Sequence, residues 1–235
     1  MRPGTGAPCR PPRPAPVALG GGQRAQRPRR AGPGRPDPDM TERWPADPPH
    51  LAQAADRLRA GAVIAFPTDT LYAVGARAGD PAAVERLYAI KGRPAAQPMV
   101  WLVTGREQVE DEAIVSGAAS DLMRRFWPGP LTLVLAARAH PDGTTIAVRA
   151  PDHEVALTLL RSLGEPIASS SANPAGQPAP VDADQVIAGM GGWIDLVLDG
   201  GPCRIGQPST ILDLSGEVPR ILRQGAIPAS ELIGP

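Results

Sequence analysis

Short apolar runs alternate along this chain with segments whose apolar residues recur at helical spacing. In segment 48–60 the apolar positions three and four residues apart are Leu51, Ala54, Ala55 and Leu58. This spacing predicts a helix with one buried face that begins after Asp47 and ends at Gly61. A short apolar run at 62–66 follows and predicts a buried strand.

The rest of the chain continues this alternation without a regular repeat. Further strands are predicted at 99–103, 131–136, 144–149, 166–168, 194–198, 210–214 and 220–222. Further helices are predicted at 81–91, 107–112, 117–126, 154–163, 183–190 and 229–232. The polar stretch 169–180 is predicted to be a loop. Interleaved helices and strands predict an α/β fold in which helices pack on a mixed sheet.

The amino-terminal part of the chain has a different composition. Residues 1–49 hold 13 of the 30 prolines and few large apolar residues, so they are predicted to be disordered, with one domain at 50–235. Met40 resembles a natural start, and the residues before it are interpreted first as an upstream extension. An organellar transit peptide is the second interpretation, and a basic arm that attracts RNA is the third.

The formal net charge of zero hides an uneven distribution. Residues 1–40 hold eight of the 24 basic and two of the 24 acidic side chains, which leaves 16 basic and 22 acidic groups in the remainder. An acidic body argues against a dedicated nucleic-acid binder. No apolar run approaches the ~20 residues of a membrane span, and the distant pair Cys9 and Cys203 does not suggest a disulfide framework. A cytoplasmic protein is predicted.

Hydroxyl and cationic side chains gather where the predicted elements end. They are Thr68, Thr70, Lys91, Arg93, Arg149, Ser169, Ser170, Ser171, Asn173, Ser209, Thr210 and Arg223. Such groups at the carboxyl ends of strands suit an anionic ligand. Each also has a structural interpretation as a turn residue, a helix cap or half of a surface ion pair.

Lys91 is the only lysine beside 23 arginines. An ammonium is a compact charge, whereas a guanidinium is a rigid fork, so a site fitted to lysine does not accept arginine. This contrast favours a functional Lys91, and the alternative is a helix-end cation that complements the helix dipole. The three histidines, His50, His140 and His153, have no Cys or Glu at metal-ligand spacing, so no protein metal site is predicted.

Seven short motifs occur in one order along the chain. They are PTDTLYAVGA at 67–76, KGR at 91–93, WPGPLT at 127–132, AVRAP at 147–151, SAN at 171–173, PSTI at 208–211 and LRQG at 222–225. This succession resembles the YrdC-type threonylcarbamoyl-AMP synthase family over about residues 50–230. The resemblance implies an open, twisted mixed sheet, flanked by helices, around a deep basic cavity.

The resemblance also implies an activity, that of an L-threonylcarbamoyladenylate synthase. L-Threonine, bicarbonate and ATP would give threonylcarbamoyl-AMP and pyrophosphate, with Mg²⁺ arriving on ATP rather than in a protein site. The product would pass to a tRNA threonylcarbamoyl transferase complex that makes N6-threonylcarbamoyladenosine. Contact with tRNA itself is expected to be weak, and no membrane partner is expected.

Site residues follow from the resemblance, motif by motif. The implied catalytic residues, which take the phosphates, are Lys91 and Arg93. The implied threonine contacts are Thr68, Arg149, Ser169 and Ser209. The implied ATP contacts are Lys91, Arg93, Thr145, Ser171, Asn173 and Arg223.

Three departures from the family pattern accompany these assignments. Ala73 replaces a usual glycine, which a small side chain tolerates where φ is negative. Leu102 stands where some relatives have histidine and receives no role. The chain lacks the linker and second domain of longer relatives, from which a more open cavity is expected.

Two alternative functions remain. One is an RNA-binding module of the same fold without synthase activity, and the other is a carbamoyl-transferring domain like those in hydrogenase-maturation proteins.

Overall fold

The protein, described here from a computed structural model, contains one mixed sheet with helices on both faces. The structure describes residues 36–93, 97–138 and 144–233. Its strands are β1 Glu42–Pro45, β2 Ile64–Phe66, β3 Ala73–Arg77, β4 Val100–Leu102, β5 Leu131–Ala136, β6 Thr145–Arg149, β7 Ile167–Ser171, β8 Leu196–Asp199, β9 Thr210–Asp213 and β10 Arg220–Arg223. Its helices are α1 Pro48–Arg59, α2 Pro81–Lys91, α3 Glu107–Glu110, α4 Gly117–Phe126, α5 Glu154–Leu163, α6 Ala183–Met190 and α7 Ala229–Leu232, after a 3-10 turn at Pro38–Met40.

The sheet has the strand order β1-β8-β2-β3-β7-β4-β6-β5-β9-β10. Parallel pairs, such as β4 with β6, alternate irregularly with antiparallel pairs, such as β3 with β7. This arrangement confirms the predicted mixed α/β sheet. The deep basic cavity that the resemblance implied is not shown.

The central strands are buried on both faces. In β2 and the residue before it, Val63 and Ala65 contact one apolar cluster with α2 and α6, whereas Ile64 and Phe66 contact another with α1 and α5. Successive side chains of a strand point to opposite faces, so this four-residue apolar run serves two layers. A third cluster joins α3 and α4 to β5, β6 and β9.

Helix α1 has the boundaries and the buried face that its spacing predicts. Asp47 caps it, since its side chain accepts the His50 N–H at 3.0 Å, and the buried residues are Leu51, Ala54, Ala55 and Leu58. Each fully buried leucine contributes about 1.5–3 kcal/mol relative to an exposed one. Helix α2 likewise begins after the predicted cap, Asp80, and ends before Gly92, which has a φ of 55°.

The prediction of disorder for residues 1–49 is wrong for the part of this segment that the structure describes. Residues 36–49 include the 3-10 turn and β1, and β1 pairs in parallel with β8. The Thr41 hydroxyl also donates to Ile194 O at 2.6 Å and accepts from Gly192 N at 2.7 Å. The ordered domain therefore begins before residue 50. Residues 1–35 lie outside the described residues.

Two further strands differ from the predictions. No strand is predicted at β3, Ala73–Arg77, which in the structure pairs with β2 on one side and β7 on the other. Strand β7 continues through Ser171, whereas the prediction ended it at Ala168. Its serines have low strand propensity, but β3 pairs with residues 167–171 on one side and β4 with residues 167–169 on the other. Tertiary pairing therefore outweighs local preference here.

Candidate active site

The turn between β2 and β3 is organised by its own hydroxyl groups. Thr68 Oγ1 donates to Leu71 O at 2.7 Å and lies 3.0 Å from Thr70 Oγ1. It also accepts from the backbone N–H groups of Thr70 and Leu71, both at 3.3 Å. Hydroxyls that bond to nearby backbone fix turns in this way. The buried Thr68 side chain therefore shapes the turn that carries Asp69 and Thr70.

Arg149, at the end of β6, contacts this turn. Its Nη1 donates to Thr70 Oγ1 at 2.8 Å, its Nη2 donates to Asp69 Oδ1, and its Nε donates to Gly129 O at 3.0 Å. Only 6% of Arg149 is exposed. Burial lowers the pKa of Arg149, and the neighbouring Asp69 carboxylate opposes that shift. The guanidinium is thus buried and held by three protein oxygens.

The loop before β5 brings Gly129 to Arg149. A Cβ at Gly129 would lie 2.4 Å from Phe126 O, so only glycine fits this tight turn. The Gly129 N–H donates to Ala150 O at 2.8 Å, one residue beyond the arginine. The WPGP motif therefore helps to position the Arg149 side chain.

Lys91 lies at the carboxyl end of α2 and is 6% exposed. Its Nζ donates to Ser171 O at 2.6 Å, to Asn173 Oδ1 at 3.3 Å and to Asn173 O. Burial, and next repulsion from Arg93, lowers the pKa of Lys91 to about 8. The three donors of this ammonium are therefore directed at the segment that carries the SAN motif.

The SAN segment is itself well ordered by hydrogen bonds. Ser171 Oγ donates to Asn173 Oδ1 at 2.5 Å, and Asn173 Nδ2 donates to Gln177 O at 2.6 Å. Two residues earlier on β7, Ser169 Oγ donates to Val100 O at 3.0 Å. The implied nucleotide contacts Ser171 and Asn173 thus lie beside Lys91, and the implied threonine contact Ser169 precedes them on the same strand.

Ser209, just before β9, and Arg223, at the end of the edge strand β10, are joined by hydrogen bonds. Arg223 donates to Ser209 O from Nε at 3.1 Å and from Nη2 at 2.9 Å. The Ser209 hydroxyl lies 2.7 Å from Thr132 Oγ1 and accepts from Arg223 Nη2 at 3.1 Å. A Cβ at Gly225 would lie 2.3 Å from Pro208 O, so glycine allows the two segments to meet. Arg223 and Ser209 therefore act as one unit.

Four cations of this region influence one another electrostatically. After burial, repulsion from Arg93 is the next cause that lowers the pKa values of Lys91 and Arg223, and Arg223 in turn lowers the pKa of Arg149. Among the described residues, Asp69 is the carboxylate that forms an ion pair with any of the four. A group of four positive charges with one paired carboxylate has an excess of positive charge, which suits an anionic ligand.

Two predicted residues, Arg93 and Thr145, make no hydrogen bond to the other predicted site residues in the described part of the chain. Arg93 donates to Gln97 Oε1 at 3.2 Å and to Met99 Sδ at 3.8 Å. Thr145 begins β6 and shares a face of that strand with Arg149, roughly 13 Å away at ~3.3 Å per residue. Leu102, which received no role, belongs to the core.

Sequence reasoning assigned no role to Asp69 or Thr132. Asp69 is fully buried and pairs with Arg149, and Thr132 contacts the Ser209 hydroxyl. Both lie inside motifs that were recognised, so the motifs located them without giving their function. The signal available for Asp69 was a single acid among candidate groups that are otherwise hydroxyls and cations.

Comparison with known proteins gives this group of residues a family context. The Sua5–YciO–YrdC family model, described as "Telomere recombination", matches residues 56–225. The chain is 40% identical to the threonylcarbamoyl-AMP synthase of Bacillus subtilis, over 84% of this chain and 60% of the relative. It is 44% identical to the enzyme of that name from Pyrococcus abyssi, over 76% of this chain and 55% of the relative. The chain thus spans little more than half the length of these relatives.

A solved structure agrees with these similarities. The crystal structure of P. abyssi Sua5 complexed with L-threonine superposes with a TM-score of 0.75 at 40% identity, over 83% of this chain and 60% of that one. The predicted motifs, the mixed sheet and the family match over residues 56–225 lead to one conclusion. The chain belongs to the Sua5–YciO–YrdC family.

Proposed function

We propose that this protein is an L-threonylcarbamoyladenylate synthase. The observation that carries the proposal is the group of four cations, Lys91, Arg93, Arg149 and Arg223, for which Asp69 is the one ion-paired carboxylate among the described residues, beside the threonine-rich turn. Relatives named threonylcarbamoyl-AMP synthase, at 40% and 44% identity, support it. The substrates of the proposed reaction are L-threonine, bicarbonate and ATP, and the products are threonylcarbamoyl-AMP, pyrophosphate and water.

The proposed chemistry needs positive charge more than it needs a protein nucleophile. The amine of threonine takes up CO₂ or bicarbonate and becomes a carbamate. A carbamate oxygen then attacks the α-phosphorus of ATP, and the bond to pyrophosphate breaks. Positioning two anions and stabilising the charge that develops at phosphorus are the main tasks of the protein in such a transfer.

The residues divide into two groups in this proposal. Arg149 binds the threonine carboxylate, and Thr68, Ser169 and Ser209 seat the rest of the amino acid. Lys91 and Arg93 bind the phosphates. The remaining nucleotide contacts are Thr145, Ser171, Asn173 and Arg223. Thr68 and Ser169 donate their hydroxyl protons to protein carbonyls, so they would meet a ligand as acceptors or through neighbouring backbone.

Lys91 requires an exchange of partners in this scheme. Its ammonium has three N–H donors, and it contacts three oxygens of Ser171 and Asn173. To reach a phosphate, Lys91 would release at least one of these oxygens. Phosphate binding and the position of the SAN segment are therefore coupled in the proposed mechanism.

Mg²⁺ enters the proposal as part of the MgATP substrate. The described residues contain no group of three or more His, Cys, Asp or Glu side chains that could hold a metal ion. The oxygen atoms that contact these cations belong to hydroxyl groups, to backbone and amide carbonyls, and to one carboxylate, Asp69. We therefore place the ion on the phosphates, where it would neutralise charge together with Lys91 and Arg93.

The product is a reactive mixed anhydride, so the proposal includes a second enzyme that uses it as a substrate. We propose that a tRNA threonylcarbamoyl transferase complex takes it up to form N6-threonylcarbamoyladenosine, with at most weak contact between this protein and tRNA. The acidic balance outside residues 1–40 makes the non-enzymatic RNA-binding alternative less favourable. A cytoplasmic location stays a prediction; within the described ranges, no helix is long and apolar enough to cross a bilayer.

Pyrophosphate release tests the proposal directly. With MgATP and bicarbonate, we expect release to depend on L-threonine, and mass spectrometry should detect threonylcarbamoyl-AMP. Omitting bicarbonate should abolish product. Release that is independent of threonine, or tRNA binding without any release, would contradict the synthase assignment.

A further inference from the structure

Asp69 is a fully buried carboxylate in the turn between β2 and β3. Its Oδ1 accepts from Arg149 Nη2 and from the Asp152 N–H at 3.2 Å. Its Oδ2 is buried and has no hydrogen-bond partner among the described residues. One of the two carboxylate oxygens therefore has hydrogen-bond partners. One of these partners is Arg149, the residue proposed to bind the carboxylate of the threonine substrate.

The contacts of Arg149 fix the plane of its guanidinium. Each of its three nitrogens donates to a different protein oxygen: Gly129 O, Thr70 Oγ1 and Asp69 Oδ1. A guanidinium has five N–H donors. The contacts within the described residues use three of them, so one N–H on each terminal nitrogen is available to a ligand. Two N–H groups are what a bidentate carboxylate contact requires.

Stability alone is a weak explanation for this ion pair. Removing two charges from water costs several kcal/mol per ion, and buried pairs are often replaceable by apolar residues without loss of stability. The pair also leaves Asp69 Oδ2 unsatisfied, which adds a further cost. The geometric constraint that Asp69 places on Arg149 is a better account of its presence.

We infer that Asp69 is a positioning residue that, with the Thr70 hydroxyl, orients Arg149 for the carboxylate of the amino-acid substrate. Asp69 supplies the paired negative charge, and Thr70 supplies a neutral acceptor at 2.8 Å from the other terminal nitrogen. The inference rests on the proposed function, in which Arg149 binds threonine. It adds that selectivity for a free carboxylate depends on two residues that do not contact the substrate.

The test compares two ligands that differ in that carboxylate, L-threonine and L-threonine methyl ester. Their dissociation constants are measured by calorimetry for the unmodified protein, Asp69→Asn, Thr70→Val and Asp152→Asn. The last variant is the matched control, because Asp152 lies in the same region but directs its carboxylate to Arg204 at 2.6 Å. We expect the preference for threonine over the ester to fall at least ~10-fold in Asp69→Asn and ~3-fold in Thr70→Val. We expect no change in Asp152→Asn.

General damage to the fold would weaken the binding of both ligands alike and leave the ratio of their dissociation constants unchanged. A change in that ratio therefore reports on the orientation of Arg149. An unchanged ratio in both variants would overturn the inference and leave the synthase assignment intact. If Asp69→Asn fails to fold by circular dichroism, Thr70→Val alone decides. An unmodified protein without preference for free threonine would instead overturn the carboxylate role of Arg149, and with it this inference.

Discussion

At the residue scale, Lys91 has structural contacts in addition to its proposed role in phosphate binding. The sequence identifies it only as a cation at the end of a helix, whereas in the structure it is buried and bonded to the SAN segment. The difference arises because a helix-end position does not reveal what packs over it. Lys91 therefore has to be tested for stability as well as activity.

The first prediction is that Lys91→Ala abolishes adenylate formation and also lowers the free energy of unfolding by about 1–3 kcal/mol, since buried oxygens lose their donor. Lys91→Arg should lose at least ~10-fold in rate, about 1.4 kcal/mol, because a planar fork replaces a compact charge. Urea unfolding and pyrophosphate release measure the two effects. Arg86→Lys, on the same helix and exposed, is the control. Parental activity in Lys91→Arg would contradict the compact-charge argument.

The second prediction concerns pH. The pKa of Lys91, at about 8, is below that of an unfolded lysine, about 10.4, so its charged form opposes folding. Its contribution to stability is therefore full above about pH 10.4 and is lost as the pH falls through about 8. Phosphate binding needs the charged form, so kcat/KM for ATP should fall up to ~10-fold per pH unit above about 8. A profile of kcat/KM for ATP from pH 6 to 10 checks this. If the fall above about pH 8 is still present in Lys91→Arg, a group other than Lys91 causes it.

The third prediction is that Arg149→Lys raises KM for threonine at least ~10-fold and changes KM for ATP less than ~3-fold. Lysine keeps the charge but cannot make two parallel hydrogen bonds to a carboxylate. Steady-state kinetics with each substrate varied in turn provides the measurement. Arg220→Lys is the control, because Arg220 is exposed and pairs with Asp213. Equal changes in both KM values would remove the threonine assignment.

At the scale of elements, the contact between the amino-terminal segment and β8 was not apparent from the sequence. Thr41 is 7% exposed and bridges Ile194 O and Gly192 N just before β1. The fourth prediction is that Thr41→Val destabilises the protein by about 1–3 kcal/mol, because a part-buried N–H and a buried carbonyl lose their partner. Urea unfolding measures this loss. Thr158→Val, at an exposed hydroxyl bonded to Glu154, should change stability by less than ~0.5 kcal/mol.

At the scale of the whole molecule, the fifth prediction separates residues 1–35 from the sheet. A chain that begins at residue 36 should keep the melting temperature and the rate of pyrophosphate release, because the proline-rich composition of 1–35 lacks core-forming residues. A chain that begins at residue 47 loses β1 and should melt several degrees lower. Thermal scans of both chains decide. A loss on removing 1–35 alone would show that this segment binds or folds.

Much of the fold could be predicted because local periodicity and capping agree with the tertiary structure. Helices α2, α4, α5 and α6 match their predicted residues, and α1 matches to within two, since each has buried residues at the spacing of one helix face. Ala73 likewise fits its predicted constraint, because no described non-glycine residue has a positive φ. The end of β7 escaped prediction because the strand beside it, rather than its serines, stabilises it; β3 escaped because three of its five residues are Ala or Gly, which have low strand propensity, although Val74 is fully buried.

For the candidate site, too, the local sequence determined some features and the tertiary structure determined others. The sequence by itself determined which motifs form the candidate site, because their residue types and order are local information. Only the tertiary structure decided that Asp69 pairs with Arg149, that Ser209 pairs with Arg223 and that Lys91 holds the SAN segment. These partners are 80, 14 and 80 residues apart in the chain. No local pattern specifies such pairings, because they depend on which strands lie side by side and on which charges are buried together.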